Sequence, residues 1–288
     1  MEIIIYGTIN SLILVLMSAG FAQTYSVSRV PNFTHGALYV LGGCLTWIFV
    51  NHLGINYALS ILLSVLVVTA IGLLIYGLAV VRVRGMPLSE IIVTFAIGVA
   101  ILEFLRWWGL RGSTFVLPSF SSGTLNLLGV PVDMQRIFVM AIAVGLVVAL
   151  WFFTHYTRIG LGLRAIAQNE RAALLLGINS DRSAALAMGL GSGVAAVAGI
   201  TILPLGNLNV ATGYDALVLA ISVCICGGLG SWTGTVLAAF AIGFAQMLVV
   251  HFIAPQFGMI VSLAAIILIL LFKPSGLYGR QKELEERV

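Results

Sequence analysis

Charge is the scarcest property of this sequence. Charged residues make up 8% of the 288 residues, whereas hydrophobic residues make up 60%. An ordinary globular domain carries about 25% charged residues, which it needs to cover its surface. The net charge of +4 does not indicate nucleic-acid binding, because the basic residues fall in short segments between apolar runs. The composition therefore predicts a protein embedded in membrane lipid and excludes a soluble enzyme.

Cysteines and catalytic motifs are also scarce. Cys44, Cys224 and Cys226 all lie in apolar runs. The Cys-x-Cys spacing of the last two has no second Cys or His cluster nearby, so we interpret all three as packed apolar residues. We find no metal-ligand cluster and no Ser/His/Asp set that would indicate a membrane-embedded enzyme. No G-x-x-x-x-G-K-S/T phosphate loop occurs either, so the chain lacks the usual means of holding ATP.

Long charge-free runs make up most of the chain. No Asp, Glu, Lys or Arg lies between Arg29 and Arg82, or between Asp215 and Lys273. A spanning helix needs about 20 apolar residues and satisfies its own backbone hydrogen bonds. We predict one domain, residues 1–288, that is an all-α polytopic transmembrane helical bundle of about eight or nine spans, with a break or re-entrant segment within 214–253. The predicted segments are 3–22, 36–52, 57–81, 88–108, 136–156, 183–204, 214–230, 235–253 and 257–272.

The basic segments set the predicted orientation, because cytoplasmic loops carry an excess of Lys and Arg. Nine spans place the N-terminus outside, the C-terminus inside, and the turn-rich loop 109–135 outside, where we expect a short hairpin. Glu2 precedes the first apolar run in place of the basic residues of a signal peptide, so we expect that span to be retained. The residues predicted to be cytoplasmic are Arg29, Arg82, Arg84, Arg158, Arg164, Arg171, Arg182, Lys273, Arg280, Lys282 and Arg287.

The polar segment 158–182 has the pattern of a short helix on the cytoplasmic face. Asn169 is a good N-cap, and Glu170 suits the positive end of the helix dipole. Ala172, Leu175 and Leu176 fall on one apolar face, and Gly177 suits a left-handed C-terminal position. Such a helix has three interpretations: it rests in the lipid interface, it is a structural elbow, or it docks on a cytoplasmic partner.

Two polar or glycine-rich breaks interrupt the apolar runs. In the first, Asn32–Gly36 (NFTHG), a helix start inside the membrane would offer free N–H groups to a carboxylate. Alternatively, Asn32 caps the helix and His35 merely packs. The second break, Gly227–Gly234 (GGLGSWTG), either lines a pathway or allows tight packing. Asp215 is interpreted as a cap at the outer start of the seventh segment, and contact with a substrate ammonium has no further support.

Four blocks carry a resemblance to a known family: Arg29–Gly43, Thr157–Arg182, Gly227–Gly243 and Phe272–Gly279. In this order they resemble the permease subunits of bacterial ABC importers for branched-chain amino acids, the LivH/LivM group, over nearly the whole chain. The family's first block usually reads Asn-Phe-Ala-His-Gly, and Thr34 replaces the Ala here. The segment 158–182 is similar to the Glu-Ala-Ala motif of a coupling helix, although Arg171 interrupts the match.

The resemblance implies where coupling and transport take place. It implies docking to an ATPase through Asn169, Glu170, Ala172, Ala173 and Gly177, with Arg164 and Arg171 as electrostatic contacts. It also implies a translocation pathway along the two breaks, for which we select Asn32, Phe33, Thr34, His35, Gly36, Gly227, Gly228, Gly230 and Ser231.

The resemblance further implies a multi-subunit importer in the bacterial inner membrane. The expected partners are a second, identical or different permease, two cytoplasmic ABC ATPases that hold ATP and Mg, an external solute-binding protein and membrane lipid. This chain would hold no cofactor. The substrate would be a branched-chain or other hydrophobic amino acid, and urea, amides and aromatic acids are alternatives. A self-contained channel or secondary carrier is the rival function, but such carriers usually hold a charge inside the membrane, and the central spans have almost none.

Overall fold

The fold is described from a computed structural model, which describes residues 1–109, 117–120, 123–127, 129–206 and 208–279. Arg280, Lys282 and Arg287, predicted to be cytoplasmic, lie outside these residues. The described helices are α1 (Glu2–Ser28), α2 (His35–Asn51), α3 (Tyr57–Ile75), α4 (Val81–Val83), α5 (Pro87–Trp108), α6 (Met134–Tyr156), α7 (Arg158–Gln168), α8 (Glu170–Leu175), α9 (Ser180–Ile202), α10 (Ala211–Gly227), α11 (Trp232–Phe252) and α12 (Gly258–Phe272). A π-helical turn, Tyr76–Val80, joins α3 to α4, and 3₁₀ turns occupy Leu203–Leu205 and Pro255–Phe257.

The nine predicted apolar segments correspond to nine helices of the described chain, namely α1, α2, α3, α5, α6, α9, α10, α11 and α12. Seven of these, counted with their adjoining turns, are long and apolar enough to cross a membrane by length and composition. The other two, α2 and α10, are apolar and have 17 residues each. That length is the lower end of the range of about 17–25 residues for a span. The prediction of an all-α polytopic bundle is confirmed.

Helices α1 and α9 form the centre of the bundle. Helix α1 packs against α9, α10 and α11, and α9 also packs against α2 and α3. The backbones of α1 and α9 meet at Gly20, where an added Cβ would lie 2.4 Å from the carbonyl oxygen of Gly191. Small residues thus allow a close helix approach in the core, as is typical of membrane bundles. By contrast, α12 buries only Ser262, so its apolar surface is available to lipid or another chain.

Several boundaries and the number of helices in one segment differ from the sequence prediction. Helix α1 continues six residues past the predicted end of its span, to Ser28. The seventh segment is shifted, because α10 covers Ala211–Gly227 and not 214–230. The segment 158–182 holds two helices, α7 and α8, where one was predicted. Arg29 ends α1 in the left-handed conformation, with φ of 57°.

The predicted external loop contains the expected hairpin. Strands β1 (Thr124–Leu127) and β2 (Val130–Asp133) pair antiparallel, and Val130 and Val132 pack against α1 at Ile9. The Tyr6 hydroxyl of α1 donates a hydrogen bond to the Pro131 carbonyl at 2.8 Å. Glu103 and Arg106, which precede this loop, form an ion pair at 3.2 Å. Arg111, Gly112, Ser121 and Ser122 of this loop lie outside the described residues.

Candidate functional site

Helix α8 begins and ends at the residues that the sequence indicates. The Asn169 side chain accepts a hydrogen bond from the Ala172 N–H at 3.0 Å and caps the helix. Gly177 takes φ of +81°, its N–H donates to the Leu174 carbonyl, and the N–H of Ile178 donates to the Ala173 carbonyl. These two bonds are a Schellman C-cap, in which glycine avoids the strain of a left-handed residue. Both ends of this six-residue helix are therefore fixed.

The two faces of α8 have different surroundings. Ala173 is 3% exposed and packs with Leu163, Ile166 and Val27. Leu175 and Leu176 are 90% and 80% exposed, and Ala172 lies on the same exposed side. The described part of the chain therefore covers none of the predicted apolar face. Arg171 is likewise exposed.

Arg84, which follows α4, joins α8 to the start of α9. Its Nη2 lies 3.1 Å from Glu170 Oε1 and 2.6 Å from Ser180 Oγ, and its Nη1 pairs with Asp181. The Ser180 hydroxyl also donates to Glu170. Desolvation would lower the pKa of Arg84, but its neighbours, including Asp181 and Glu170, outweigh this and raise it, so the guanidinium stays charged. Glu170, predicted as a contact for a partner, is thus bound within the chain.

The Asn32–Gly36 block is packed inside the bundle. Asn32, Thr34 and His35 are each at most 1% exposed. Asn32 Oδ1 accepts from the N–H and hydroxyl of Thr34, one residue before α2 starts, so Asn32 forms a turn and does not cap α2. His35 Nε2 lies 2.8 Å from the Met17 carbonyl.

Two polar atoms of this block have no hydrogen-bond partner among the residues that the structure describes: Asn32 Nδ2 and His35 Nδ1. Leaving such a group buried costs about 1–3 kcal/mol. The lining of a small cleft between α2, α5 and α10 includes Phe33 and Gly36. Gly36 is also close to the α10 backbone, since an added Cβ would lie 2.0 Å from the Gly213 carbonyl oxygen.

The glycine-rich break lies between α10 and α11, as the sequence predicts. Gly228 and Gly230 have φ of +100° and +85°. Gly227 packs on Gly234, and its carbonyl accepts from the Tyr278 N–H at 3.0 Å. The glycines at 227 and 228 therefore serve close backbone packing, which was the alternative to pathway lining.

Gly230 and Ser231 instead line a cavity of about 460 Å³ at the predicted cytoplasmic side. Ser231 also caps α11, accepting from the Gly234 N–H at 3.1 Å. Arg164 of α7, predicted as a coupling contact, lines the same cavity, as do Gln23 of α1 and Thr154 of α6. The structure thus brings one predicted coupling residue together with two predicted pathway residues.

A second cavity, of about 370 Å³, lies at the opposite ends of the helices. We call it the outer cavity; its polar lining residues are Tyr6, Asn10, Arg136, Asp215 and Gln246. Asp215 is the fifth residue of α10 and does not cap it, in contrast to our interpretation of the sequence. The N–H of Thr212 is bound by Asn209 Oδ1 at 2.9 Å.

Metal ligands are not grouped within the described part of the chain. No set of three or more His, Cys, Asp or Glu residues there could hold a metal ion. Cys44, Cys224 and Cys226 are free and buried, in agreement with the interpretation as packed apolar residues.

The family model described as the branched-chain amino acid transport system / permease component matches residues 3–270. The chain belongs to this family. The match includes the first three blocks that carried the resemblance.

Relatives of this permease match over nearly their whole length. The chain is 30% identical to the high-affinity branched-chain amino acid transport system permease protein LivH of Escherichia coli, covering 92% of this chain and 91% of LivH. It is 27% identical to the corresponding protein BraD of Pseudomonas aeruginosa, with the same two shares. It is 26% identical to the probable permease LivH of Methanocaldococcus jannaschii, covering 94% of this chain and 90% of that protein.

A solved structure has the same fold at low sequence identity. PsaBC from Streptococcus pneumoniae in complex with Fab matches with a TM-score of 0.52 and 13% identity. The match covers 99% of this chain and 96% of that chain. At this identity the likeness concerns the fold of the permease only.

Sequence reasoning missed two arginines of the permease. Arg84 was interpreted only as a cytoplasmic charge, and Arg136 only as the first residue of the predicted segment 136–156. The signal at Arg84 was its place between the end of a span and Gly85. The signal at Arg136 was a positive charge beside a loop predicted to be external.

Proposed function

We propose that this permease is the membrane subunit of an ATP-driven importer for branched-chain or other hydrophobic amino acids. The printed descriptions of the family and of LivH and BraD, which name branched-chain amino acid transport, support this substrate class. The proposed location is the bacterial inner membrane, with the N-terminus outside and the C-terminus inside. Hydrolysis of ATP takes place on partner subunits.

The observation that carries the proposal is the exposed face of α8. Three apolar side chains, Ala172, Leu175 and Leu176, project from this helix and its C-cap position, while Ala173 is buried and both ends of the helix are capped. A short helix that shows apolar side chains on a firm base suits insertion into a groove on another protein. We assign the ATPase subunit as that protein. Arg171 adds a positive charge to the same surface.

The complete importer needs further subunits. We propose a second permease beside this chain, two cytoplasmic ATPases that hold ATP and Mg, and an external solute-binding protein. The exposed apolar sides of α6 and α12 are available to the second permease and to lipid. The cavity lined by Gly230 and Ser231 is the proposed inner part of the substrate route. The Asn32–Gly36 block, which is packed inside the bundle, is proposed to border this route beyond that cavity, where the route is closed.

The docking role of α8 can be tested with the double substitution Leu175→Asp and Leu176→Asp. Two carboxylates on the contact surface would oppose burial against a partner. We expect the permease to insert normally, the ATPase subunit to be lost on co-purification, and amino-acid uptake to fall at least about ten-fold. The measurements are subunit stoichiometry after purification and labelled leucine uptake in proteoliposomes.

Leu161→Asp provides a matched control, because Leu161 is an exposed leucine on the neighbouring helix α7. This variant should retain the ATPase. Normal uptake and co-purification by the double variant would contradict the docking role. Active uptake by the purified permease without any ATPase would instead favour a self-contained carrier.

A further inference from the structure

The outer cavity lies where the ends of five helices meet. Helices α1, α6, α10 and α12 begin there, and α11 ends there. All five ends are on the outer side in the proposed orientation. A cavity of about 370 Å³ is at the lower end of the range of roughly 300–1,000 Å³ for ligand pockets, and it suits a small ligand.

Two opposite charges line this cavity without being paired. Arg136 lies over the ring of Tyr6, with 5.3 Å between its Cζ and the ring centroid. Tyr6 is itself held by its hydrogen bond to the hairpin at Pro131. Within the described residues, neither Arg136 nor Asp215 forms an ion pair. Unpaired charges are rare on membrane helices and mark functional positions by default.

Two amides complete the polar part of the cavity. Asn10 Nδ2 donates to the Gly243 carbonyl at 3.1 Å and to Gln246 Oε1 at 2.8 Å. Gln246 Nε2 donates to Ser262 Oγ at 2.7 Å, so a chain of bonds connects α1, α11 and α12. These bonds use both hydrogens of the Asn10 amide and leave its oxygen as an acceptor. An acceptor and a carboxylate in one cavity suit an ammonium group.

The remaining walls are aliphatic. Branched and thioether side chains from four helices surround the polar groups, and methionine adapts readily to ligand shape. The apolar lining residues are Ile9, Ile13, Leu219, Met247, Val250 and Met259.

We propose that the outer cavity binds the amino-acid substrate, with Arg136 on its carboxylate, Asp215 and Asn10 on its ammonium, and the aliphatic walls around its side chain. This assignment rests on the proposed import of hydrophobic amino acids. It names the positions in the permease that contact the substrate after the solute-binding protein releases it. Each charge of the zwitterion is thus matched by a side chain of opposite charge, the carboxylate by Arg136 and the ammonium by Asp215.

The test measures labelled L-leucine binding to the complex of the permease with its partner permease and ATPases, without the solute-binding protein. Competitors are 4-methylpentanoate, which lacks the ammonium, and 3-methylbutylamine, which lacks the carboxylate. Asp215→Asn should weaken leucine binding about ten-fold or more and abolish the preference for leucine over 4-methylpentanoate. Arg136→Gln should weaken leucine binding to a similar extent and abolish the preference for leucine over 3-methylbutylamine. Asp215→Asn should keep the preference over 3-methylbutylamine, and Arg136→Gln should keep the preference over 4-methylpentanoate.

Glu103→Gln and Arg106→Gln are the matched controls, because this pair lies at the outer end of α5 and does not line the cavity. Both should bind leucine as the unmodified complex does. Leu219→Trp fills the apolar part of the cavity without changing charge, and it should also weaken binding. If a charge variant fails to assemble, the effect of Leu219→Trp on leucine binding tests the assignment of the cavity instead.

The outcomes separate the two proposals. If the unmodified complex imports leucine and the assembled cavity variants bind and discriminate normally, the assignment of the cavity is wrong and the import function stands. If Leu219→Trp also binds normally, the substrate does not occupy this cavity. If the complete unmodified importer takes up no hydrophobic amino acid, the proposed function fails, and this assignment fails with it.

Discussion

At the scale of single residues, most polar side chains inside the apolar helices form hydrogen bonds with nearby backbone carbonyls. Thr24 and Ser28 donate to the carbonyls of Gly20 and Thr24, four residues earlier in α1. Such back-bonding satisfies a hydroxyl inside an apolar interior. Asn32 and His35 differ, because each keeps one buried polar atom without a partner among the described residues. Such a group costs stability, which makes these two side chains the first to test for a role in transport.

Replacement of His35 by Leu separates a transport role from a packing role. The substitution removes the unpartnered Nδ1 but also the bond between Nε2 and the Met17 carbonyl, and because these two effects on stability oppose each other, we expect the melting temperature of the purified complex to change little. If the Asn32–Gly36 block borders the route, leucine uptake should fall about ten-fold. A parallel loss of melting temperature and uptake would indicate packing alone. Thr46→Val is the control, because Thr46 is buried but bonded to Gly42 and Ser64.

At the scale of helices, Arg84 connects three elements. It stands at the end of the α3–α4 stretch and contacts Glu170 of α8 and Asp181 of α9. The side chains of both acids are about half exposed, so each ion pair is worth about 0–1 kcal/mol. The network therefore contributes more to the position of α8 than to the stability of the fold.

Arg84→Ala should consequently uncouple transport from ATP hydrolysis without unfolding the permease. We expect the melting temperature to be nearly unchanged and the leucine imported per ATP hydrolysed to fall several-fold. Arg84→Lys should restore part of this ratio, because it keeps the charge but loses the forked geometry. Arg82→Ala serves as the control, since Arg82 is exposed two residues away. An unchanged ratio in Arg84→Ala would show that α8 does not need this anchor.

The sequence predicted the type of each long element but not all of its boundaries. The end of α1, Gln23–Ser28, reads as a polar loop, yet most of it is buried and its hydroxyls bond back to the helix. Helix α7 was missed because Gly160 and Gly162 weaken helix propensity. Gly160 is needed there, since an added Cβ would lie 2.0 Å from the Phe153 carbonyl oxygen. Whether such residues are helical is decided by tertiary contacts, which the local sequence pattern does not contain.

The candidate site was predictable where it depends on local pattern. The caps at Asn169 and Gly177 follow from residue type and spacing alone. The outer cavity was not predictable, because its residues come from five helices that are distant in the sequence. Asp215 illustrates this: its neighbours in sequence suggested a cap, and its neighbours in space place it in a cavity with Arg136.

At the scale of the whole molecule, the orientation of the permease can be measured directly. Single cysteines at Gln168 and Gly123 would report on opposite sides of the proposed topology, since both positions are exposed. The native cysteines are buried and should react little. A membrane-impermeant maleimide should label Gly123→Cys in intact spheroplasts and Gln168→Cys only after lysis. The reverse pattern would overturn the proposed orientation.

The long helix α1 has a consequence for access from the two sides. It lines the outer cavity at Ile9 and Ile13, and at Gln23 and Val27 it lines the other cavity, which also contains Gly230 and Ser231. Ten residues, about 15 Å of helix, separate Ile13 from Gln23. Its backbone touches α9 at Gly20, between the two. If α1 tilts as an unbroken helix about this contact, its two ends move in opposite directions, and one cavity widens as the other narrows.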